Sequence, residues 1–340
     1  MKMNRVAILA NMQKSGEVGG AEIFHQKLYE SMSRLVPEVE LIQIPCSERT
    51  FEDILCGYLD CYDLDLSSFD GVISSKAPTF AARHPNHVCY LMHTVRVFYD
   101  MFEELSADPV NHQRRELLLH MDKEIFQAPH IKKVFSIGQE VSDRLVQHIG
   151  VESQPLHPGI TSEGFYTGEY RDYLYMPGRL HHWKRPDLAI KAMKYVRAPL
   201  ELRIAGKGAM EDELRALAGD DPRIHFLGFV SDEEMRYQYA NALGVVFVPV
   251  REDYGYITHE AFKSKKPVIT CRDSGEPVHF VEHGVSGYIS EPDPETLAAW
   301  IDQLYESRMD APHMGEAGKK SIEHITWERV AEILLKALEE

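Results

Sequence analysis

The sequence predicts an α/β protein of two doubly wound parallel-sheet domains, and three observations predict it. Strand-like and helix-like segments alternate along nearly the whole chain. The alternation is interrupted once, over 155–172, where Pro, Gly, Thr, Ser and Glu crowd together, and then it restarts. The chain has 340 residues, more than one ordinary core accommodates.

Taken in order, Arg5 to Ala10 is a short apolar run of buried-strand type. A loop with Gly16, Gly19 and Gly20 leads into a helix from about Ala21, with Phe24, Leu28, Met32 and Leu35 as its apolar stripe and Pro37 as its stop. Val39 to Pro45, Asp70 to Ser75 and His87 to Met92 read as further strands, the last ending at His93. Residues 101–130 are helical in pattern, with Leu117-Leu118-Leu119 and Ile125-Phe126 on the buried side; strand Ile131 to Ile137 and a helix near 141–148 follow. After the interruption come strands Tyr173 to Met176, Leu200 to Ala205, Ile224 to Leu227, Val245 to Val250 and Val268 to Cys271, with helices near 186–196 and 211–217. Ser231 with Glu234 makes a capping box for another helix, and helices fill most of 293–340.

Hydrophobic content of 44% and charged content of 26% are those of a globular protein. Lys+Arg 37 against Asp+Glu 53 gives a net charge of −16, which argues against nucleic acid or strong association with an anionic membrane. An anionic ligand must then meet a local cluster of cations. The five cysteines (46, 56, 61, 89, 271) show no CxxC spacing, so reduced thiols are expected. No apolar run has transmembrane length and no signal peptide is read at the start, so the expected location is cytoplasmic.

In open parallel sheets, ligands bind beyond the carboxyl ends of the strands. The stretch Val248 to Phe262 has that placing: a strand end, a turn with Gly255 and a helix from Tyr256. The free N–H groups of a helix start suit an anion. Glu252 and Glu260 flank the turn, and carboxylates beside an anion site need hydroxyls to bind. Together they suit a phosphorylated polyol; a surface loop with two solvated acids is the competing reading. Arg179 follows Gly178 at another strand end, with Lys184 five residues on, and the two could neutralise a diphosphate or simply be solvated. Gly19-Gly20 offers either a phosphate-approaching backbone or a tight turn. His93 ends a strand, where a structural histidine is the commoner case. No metal-ligand spacing occurs; His181-His182 and Asp63-Leu64-Asp65 are read as ordinary loop residues, and Gly206-Lys207-Gly208 lacks the rest of a dinucleotide fingerprint.

Several segments occur in a telling order: Gly178-Arg179-Leu180 through Lys184-Arg185, then Arg203 to Gly208, then Phe226 to Val230. Glu252 to Glu260 with Glu-Ala-Phe follows, and then Lys266-Pro267-Val268-Ile269. This succession resembles the retaining GT-B glycosyltransferases of family 4 over essentially the whole chain. Gly19-Gly20-Ala21-Glu22 matches the family's N-terminal glycine loop. His93-Thr94-x-Arg96-x-x-Tyr99-Asp100 is similar to a segment of some members, and Thr326-Trp327-Glu328 to the start of their C-terminal helix.

The resemblance implies two Rossmann-like domains facing across a cleft: 1–160 on the acceptor side, 161–322 binding a nucleotide sugar, and 323–340 as a helix crossing back to the first. It implies a hexosyltransferase moving a hexose from a UDP- or GDP-sugar, without a metal or other cofactor, to a glycan, lipid-linked or small-molecule acceptor. Arg179 and Lys184 would hold the diphosphate, helped by the backbone of Gly19, Gly20, Gly255, Tyr256 and Ile257. Glu260 would take the ribose, Val230 would lie near the base, Glu252 would bind the transferred sugar, and His93 its outer hydroxyl. Three positions depart from the family pattern: Lys265 stands for a glycine, His279 for an acid and Val95 for a proline. A non-catalytic nucleotide-sugar-binding subunit and a GT-B-shaped sugar-nucleotide epimerase are the alternatives. A glycosidase with two catalytic carboxylates is disfavoured by the place of Glu260.

Overall fold

The structure, a computed structural model, describes residues 2–13 and 20–340, without the side chains of Met12 and Gln13. Gly16 and Gly19 of the glycine loop lie outside the described residues. The chain forms two compact units, Met1–Thr161 with Ile325–Glu340, and Ser162–His324. Among the described residues no helix is long and apolar enough to cross a membrane. All five cysteines are free.

The first unit holds β1 (Arg5–Gln13), α1 (Gly20–Met32), β2 (Glu38–Cys46), α2 (Phe51–Tyr62), β3 (Gly71–Ser74), β4 (His87–Leu91), α3 (Pro109–Phe126), β5 (Ile131–Ser136), α4 (Gln139–Ile149) and β6 (Gln154–Pro155). Its six strands are parallel in the order β2-β1-β3-β4-β5-β6. The direction of winding therefore reverses between β1 and β3. Phe24, Leu28 and Met32 are buried on α1 as the stripe predicts, but the helix stops at Met32 and leaves Leu35 42% exposed in the following turn. On α3, Leu118 and Phe126 are buried whereas Leu117 points outward, 46% exposed, because three consecutive residues span most of a helical turn.

The second unit holds β7 (Arg171–Pro177), α5 (Pro186–Met193), β8 (Glu201–Ala205), α6 (Glu211–Ala218), β9 (Ile224–Gly228), α7 (Asp232–Asn241), β10 (Ala242–Val246), α8 (Tyr256–Lys263), β11 (Val268–Cys271), α9 (Pro277–Phe280), β12 (Gly287–Ser290), α10 (Pro294–Glu306) and α11 (Ala311–Ile322). Its strands are parallel in the order β12-β11-β10-β7-β8-β9, so the reversal falls between β10 and β7. Both chain halves therefore form doubly wound sheets, each with a topological switch point. Ser231 caps α7 by accepting from the Glu234 N–H, while the Glu234 carboxylate accepts from Gln238 Nε2 instead of closing the box.

The last helix, α12 (Trp327–Glu339), belongs to the first unit. Its Trp327 ring meets Phe24 at 5.0 Å and its indole N–H donates to the Ile160 carbonyl at 3.1 Å. Gly159 permits this approach, since a Cβ there would lie 2.5 Å from the Trp327 ring. At the other end Leu338 packs on Gly71.

Candidate active site

The carboxyl ends of β7 and β10, on either side of the second sheet's switch point, gather most of the residues singled out in the sequence. After β7 the chain turns at Gly178, whose φ of 136° suits glycine, and presents Arg179 to solvent. Arg179 makes no ion pair or side-chain hydrogen bond among the described residues. The turn is braced from β8: Leu180 N–H donates to the Lys207 carbonyl at 3.0 Å and Met210 N–H to the Leu180 carbonyl at 3.2 Å. A Cβ on Gly206 would stand 1.9 Å from the Gly178 oxygen, and one on Gly208 2.2 Å from the Leu180 oxygen. The Gly206-x-Gly208 pair is thus the seat of the Arg179 loop.

A short 3-10 turn, His182–Lys184, is tied to the segment after β10 by the Val250 N–H donating to the Trp183 carbonyl at 2.8 Å. That bond brings Lys184 to Glu252, Nζ to Oε2 2.6 Å, with the two side chains 22% and 21% exposed. Arg185, at φ 49°, fixes the same corner. Its guanidinium donates to the Val248 and Pro249 carbonyls at 2.7 and 2.6 Å and grips both oxygens of Asp273 at 2.7–2.8 Å. This accounts for a difference from the expected strand to Val250: β10 ends at Val246, because Pro249 has no N–H and Arg185 takes the carbonyls a neighbouring strand would use. Neither Arg185 nor Asp273 was recognisable as a partner from sequence.

Glu252 is held by its backbone. Its N–H donates to the Ser274 carbonyl and its carbonyl accepts from Glu276, each at 2.9 Å. Gly275, at φ 76°, allows this pairing, since its Cβ would fall 2.6 Å from Glu252 backbone atoms. Gly255, at φ 81°, then turns the chain into α8 between Phe247 and Pro277. The first N–H groups of α8, at Tyr256 and Ile257, make no backbone hydrogen bond among the described residues and are placed to meet a ligand. Ile257 lies beside the Gly178 turn, 3.6 Å from where a Cβ would be, which brings the helix start and the Arg179 loop together. The result is a neighbourhood of two cations, a helix N-terminus and a carboxylate.

Glu260, one turn further along α8, is half-buried. It accepts a hydrogen bond from Tyr239 at 2.6 Å. Burial pushes its carboxyl up from the ordinary glutamate range, while the Tyr239 hydroxyl pulls the other way. Val230 follows β9 as a partly exposed residue between Gly228, at φ 66°, and the Ser231 cap.

At the first sheet, Gly20 begins α1 and is exposed. His93 follows β4, one strand beyond the switch point, with Nδ1 2.8 Å from the Thr94 carbonyl. Close to the switch point itself, His25 is buried and bonded to Ser75 Oγ at 2.6 Å, and burial lowers its pKa to about 4. Of the rest of the His93-Thr94-x-Arg96-x-x-Tyr99-Asp100 segment, Arg96, Tyr99 and Asp100 are engaged internally. Asp100 takes Arg96 at 2.6 Å and Arg144 at 3.0 Å, and Tyr99 donates to Asp122 at 2.5 Å. Lys265, the departure from glycine, adopts φ 54°, a left-handed turn that glycine would occupy without strain. His279 is exposed on α9.

Residues 166–321 match the model of the family described as Glycosyl transferases group 1. An uncharacterized glycosyltransferase of Methanocaldococcus jannaschii is 29% identical over 161 residues, 45% of this chain and 41% of that protein. The alpha-1,3/1,6-mannosyltransferase ALG2 of Homo sapiens is 28% identical over 99 residues, 29% of this chain and 24% of that one. The chain thus spans less than half the length of these two relatives. Among solved structures, Anabaena HepE in complex with UDP and glucose superposes with a TM-score of 0.70 at 16% identity, covering 99% of both chains. The sucrose-phosphate synthase of Thermosynechococcus elongatus gives a TM-score of 0.76 at 16% identity, covering 99% of this chain and 98% of that one. Residues 166–321 accordingly resemble the glycosyl transferases group 1, within a chain of GT-B fold.

Proposed function

We propose that the protein is a retaining glycosyltransferase of family 4 that moves a hexose from a UDP- or GDP-sugar to a glycan, lipid-linked or small-molecule acceptor. The observation that carries this reading is the Lys184–Glu252 pair, together with the exposed Arg179 and the start of α8. A nucleotide sugar needs a cation where charge collects on the departing phosphate and an acceptor for the hydroxyls of the transferred sugar, side by side. Lys184 and Arg179 supply the first, with the α8 N–H groups of Tyr256 and Ile257, and Glu252 supplies the second. Glu260 receives the ribose hydroxyls and Val230 lies by the base. His93, after β4, and Gly20, at the start of α1, keep the roles that the family resemblance gives them. The UDP and glucose bound by Anabaena HepE support a UDP-sugar donor, and the likeness to a mannosyltransferase keeps a GDP-sugar in view.

In the reaction the anomeric carbon loses its phosphate and becomes oxocarbenium-like while negative charge grows on the leaving diphosphate. Arg179, Lys184 and the helix start would stabilise that charge, and removing one such contact costs about 10²-fold or more in rate. The departing phosphate serves as base for the acceptor hydroxyl, and these groups stabilise its charge without a metal. The reading assigns the protein to the cytoplasm. A thermal-shift series over UDP- and GDP-sugars tests donor binding, since a ligand at 100 times its Kd adds about 2.7 kcal/mol. Donor turnover in Lys184→Ala and Glu252→Ala should then fall about 10²-fold. A flat thermal series, or full turnover in both variants, sinks the proposal.

A further inference from the structure

The Tyr239–Glu260 pair leads beyond this assignment, and the inference rests on reading Glu260 as the ribose ligand. Tyr239 is wholly buried on α7, and its ring meets Phe165 edge-on at 5.6 Å and Tyr175 at 4.9 Å. Held in this way, its hydroxyl has one orientation, 2.6 Å from Oε2 of Glu260. The other carboxylate oxygen, Oε1, has no hydrogen-bond partner among the described residues, and Glu260 retains accessible surface. A carboxylate among tyrosine rings with one donor is short of partners for its charged form.

We propose that Tyr239 is a positioning residue that holds Glu260 ionised and oriented through Oε2, leaving Oε1 to accept the ribose hydroxyls of a nucleoside diphosphate. The pair then sets the acid limit of nucleotide binding. Binding weakens as pH falls through the titration of Glu260, and the tyrosine bond keeps that titration lower than burial alone would. The titratable groups on which Glu260 acts are Tyr175 of β7, Tyr239 of α7 and Tyr256 of α8, and Glu234 of α7 acts on Tyr175 in turn. Of these, Glu234 is bonded to Gln238 at 2.6 Å, while the hydroxyls of Tyr175 and Tyr256 are buried without partners among the described residues. Behind α8, Lys266 donates to the Glu169 carbonyl, and Glu316 of α11 pairs with Lys265. None of these groups forms an ion pair with Glu260 among the described residues.

The test combines two titrations of the intact chain from about pH 5 to 9. Carboxylate ¹³C NMR, with the Glu260 signal assigned through E260Q, reads its midpoint directly. Calorimetry with UDP and with GDP reads affinity at each pH. The expected result for Y239F is a raised midpoint and an acid limb of binding displaced with it, while affinity at the alkaline end stays near wild type. Each unit of displacement makes binding about tenfold weaker on the acid side. A 3-fluorotyrosine at 239, a stronger donor of the same shape, should lower the midpoint, which keeps the test open if Y239F fails to fold. An unmoved midpoint, or a loss of affinity equal at every pH, overturns the role of Tyr239. E260Q should bind both nucleotides weakly and keep only the pH dependence of their terminal phosphate, whose second proton leaves at about pH 6. If E260Q binds as tightly as the wild type, or the wild type binds neither nucleotide, the ribose reading fails and the proposal with it.

Discussion

Two carboxylates, one in each unit, are held by tyrosines, and their surroundings differ in how far they are enclosed and bonded. Asp122 on α3 is fully enclosed and receives the hydroxyls of both Tyr58 and Tyr99, each at 2.5 Å, one to each oxygen. Glu260 on α8 receives one hydroxyl and keeps its second oxygen and some surface. A closed carboxylate with both oxygens bonded joins α2 to α3 and to the segment after β4, and has nothing left for a ligand. A half-bonded one at a strand edge is fixed by one oxygen and able to bind with the other. The contrast separates a structural carboxylate from a binding one without reference to which residue type is used.

Three experiments press on this contrast, in descending order of expected effect. Asp122→Ala leaves two buried hydroxyls without an acceptor, at about 1–3 kcal/mol each, so stability in urea should fall by about 3 kcal/mol. UDP affinity of the folded variant should be unchanged; a loss of affinity would blur the distinction between the two carboxylates. The second reads pH. Burial raises the Asp122 pKa to about 7, so between the ordinary carboxylate range and pH 7 the folded chain keeps a proton that the unfolded chain releases. This part of the stability is fully present in acid and declines as pH rises to about 7, by at most about 1.4 kcal/mol per unit. Chemical denaturation of Asp122→Asn should lack that decline.

The third experiment concerns a buried cation. Lys266 is wholly enclosed, with its ammonium 3.3 Å from the centre of the Tyr170 ring and bonded to the Glu169 carbonyl, and burial lowers its pKa to about 7. Above pH 7 the unfolded chain retains a proton that the folded chain has released, so stability from this site rises with pH toward the ordinary lysine range. Lys266→Met should flatten that rise, with a smaller change than at Asp122 because the ring and the carbonyl offset part of the burial. An unaltered slope would show that the Tyr170 ring keeps the ammonium charged.

Strands were the readable part of the fold, because a parallel strand buried on both faces leaves a continuous apolar run, as at Val6–Ala10. The helix α2 was not read from sequence, since Phe51–Tyr62 mixes acids, cysteines and a glycine. Its signal was nevertheless there in Thr50, which caps the helix by accepting from the Asp53 N–H at 3.0 Å. At the site, Arg179, Lys184, Glu252 and Glu260 could be picked out because strand–turn–helix punctuation shows in a linear sequence. Tyr239 could not. Its partner is 21 residues away on another helix, and a tyrosine on a buried helix face looks the same whether its hydroxyl is used or not. The same holds for Arg185 and Asp273, 88 residues apart.

The place of α12 bears on how the chain comes to be folded during synthesis. The first unit is discontinuous: residues 1–161 are made first, but the Trp327 and Leu338 that fill its core against Phe24 and Gly71 come last. At about 5–20 residues per second, synthesis of the intervening 162–324 takes on the order of 10 s. Throughout that interval the Phe24 face of α1 has no Trp327 to cover it, while the second unit is continuous and has all its parts as it emerges. The later-made unit is therefore the first that is able to complete its fold, and the order of folding runs against the order of translation.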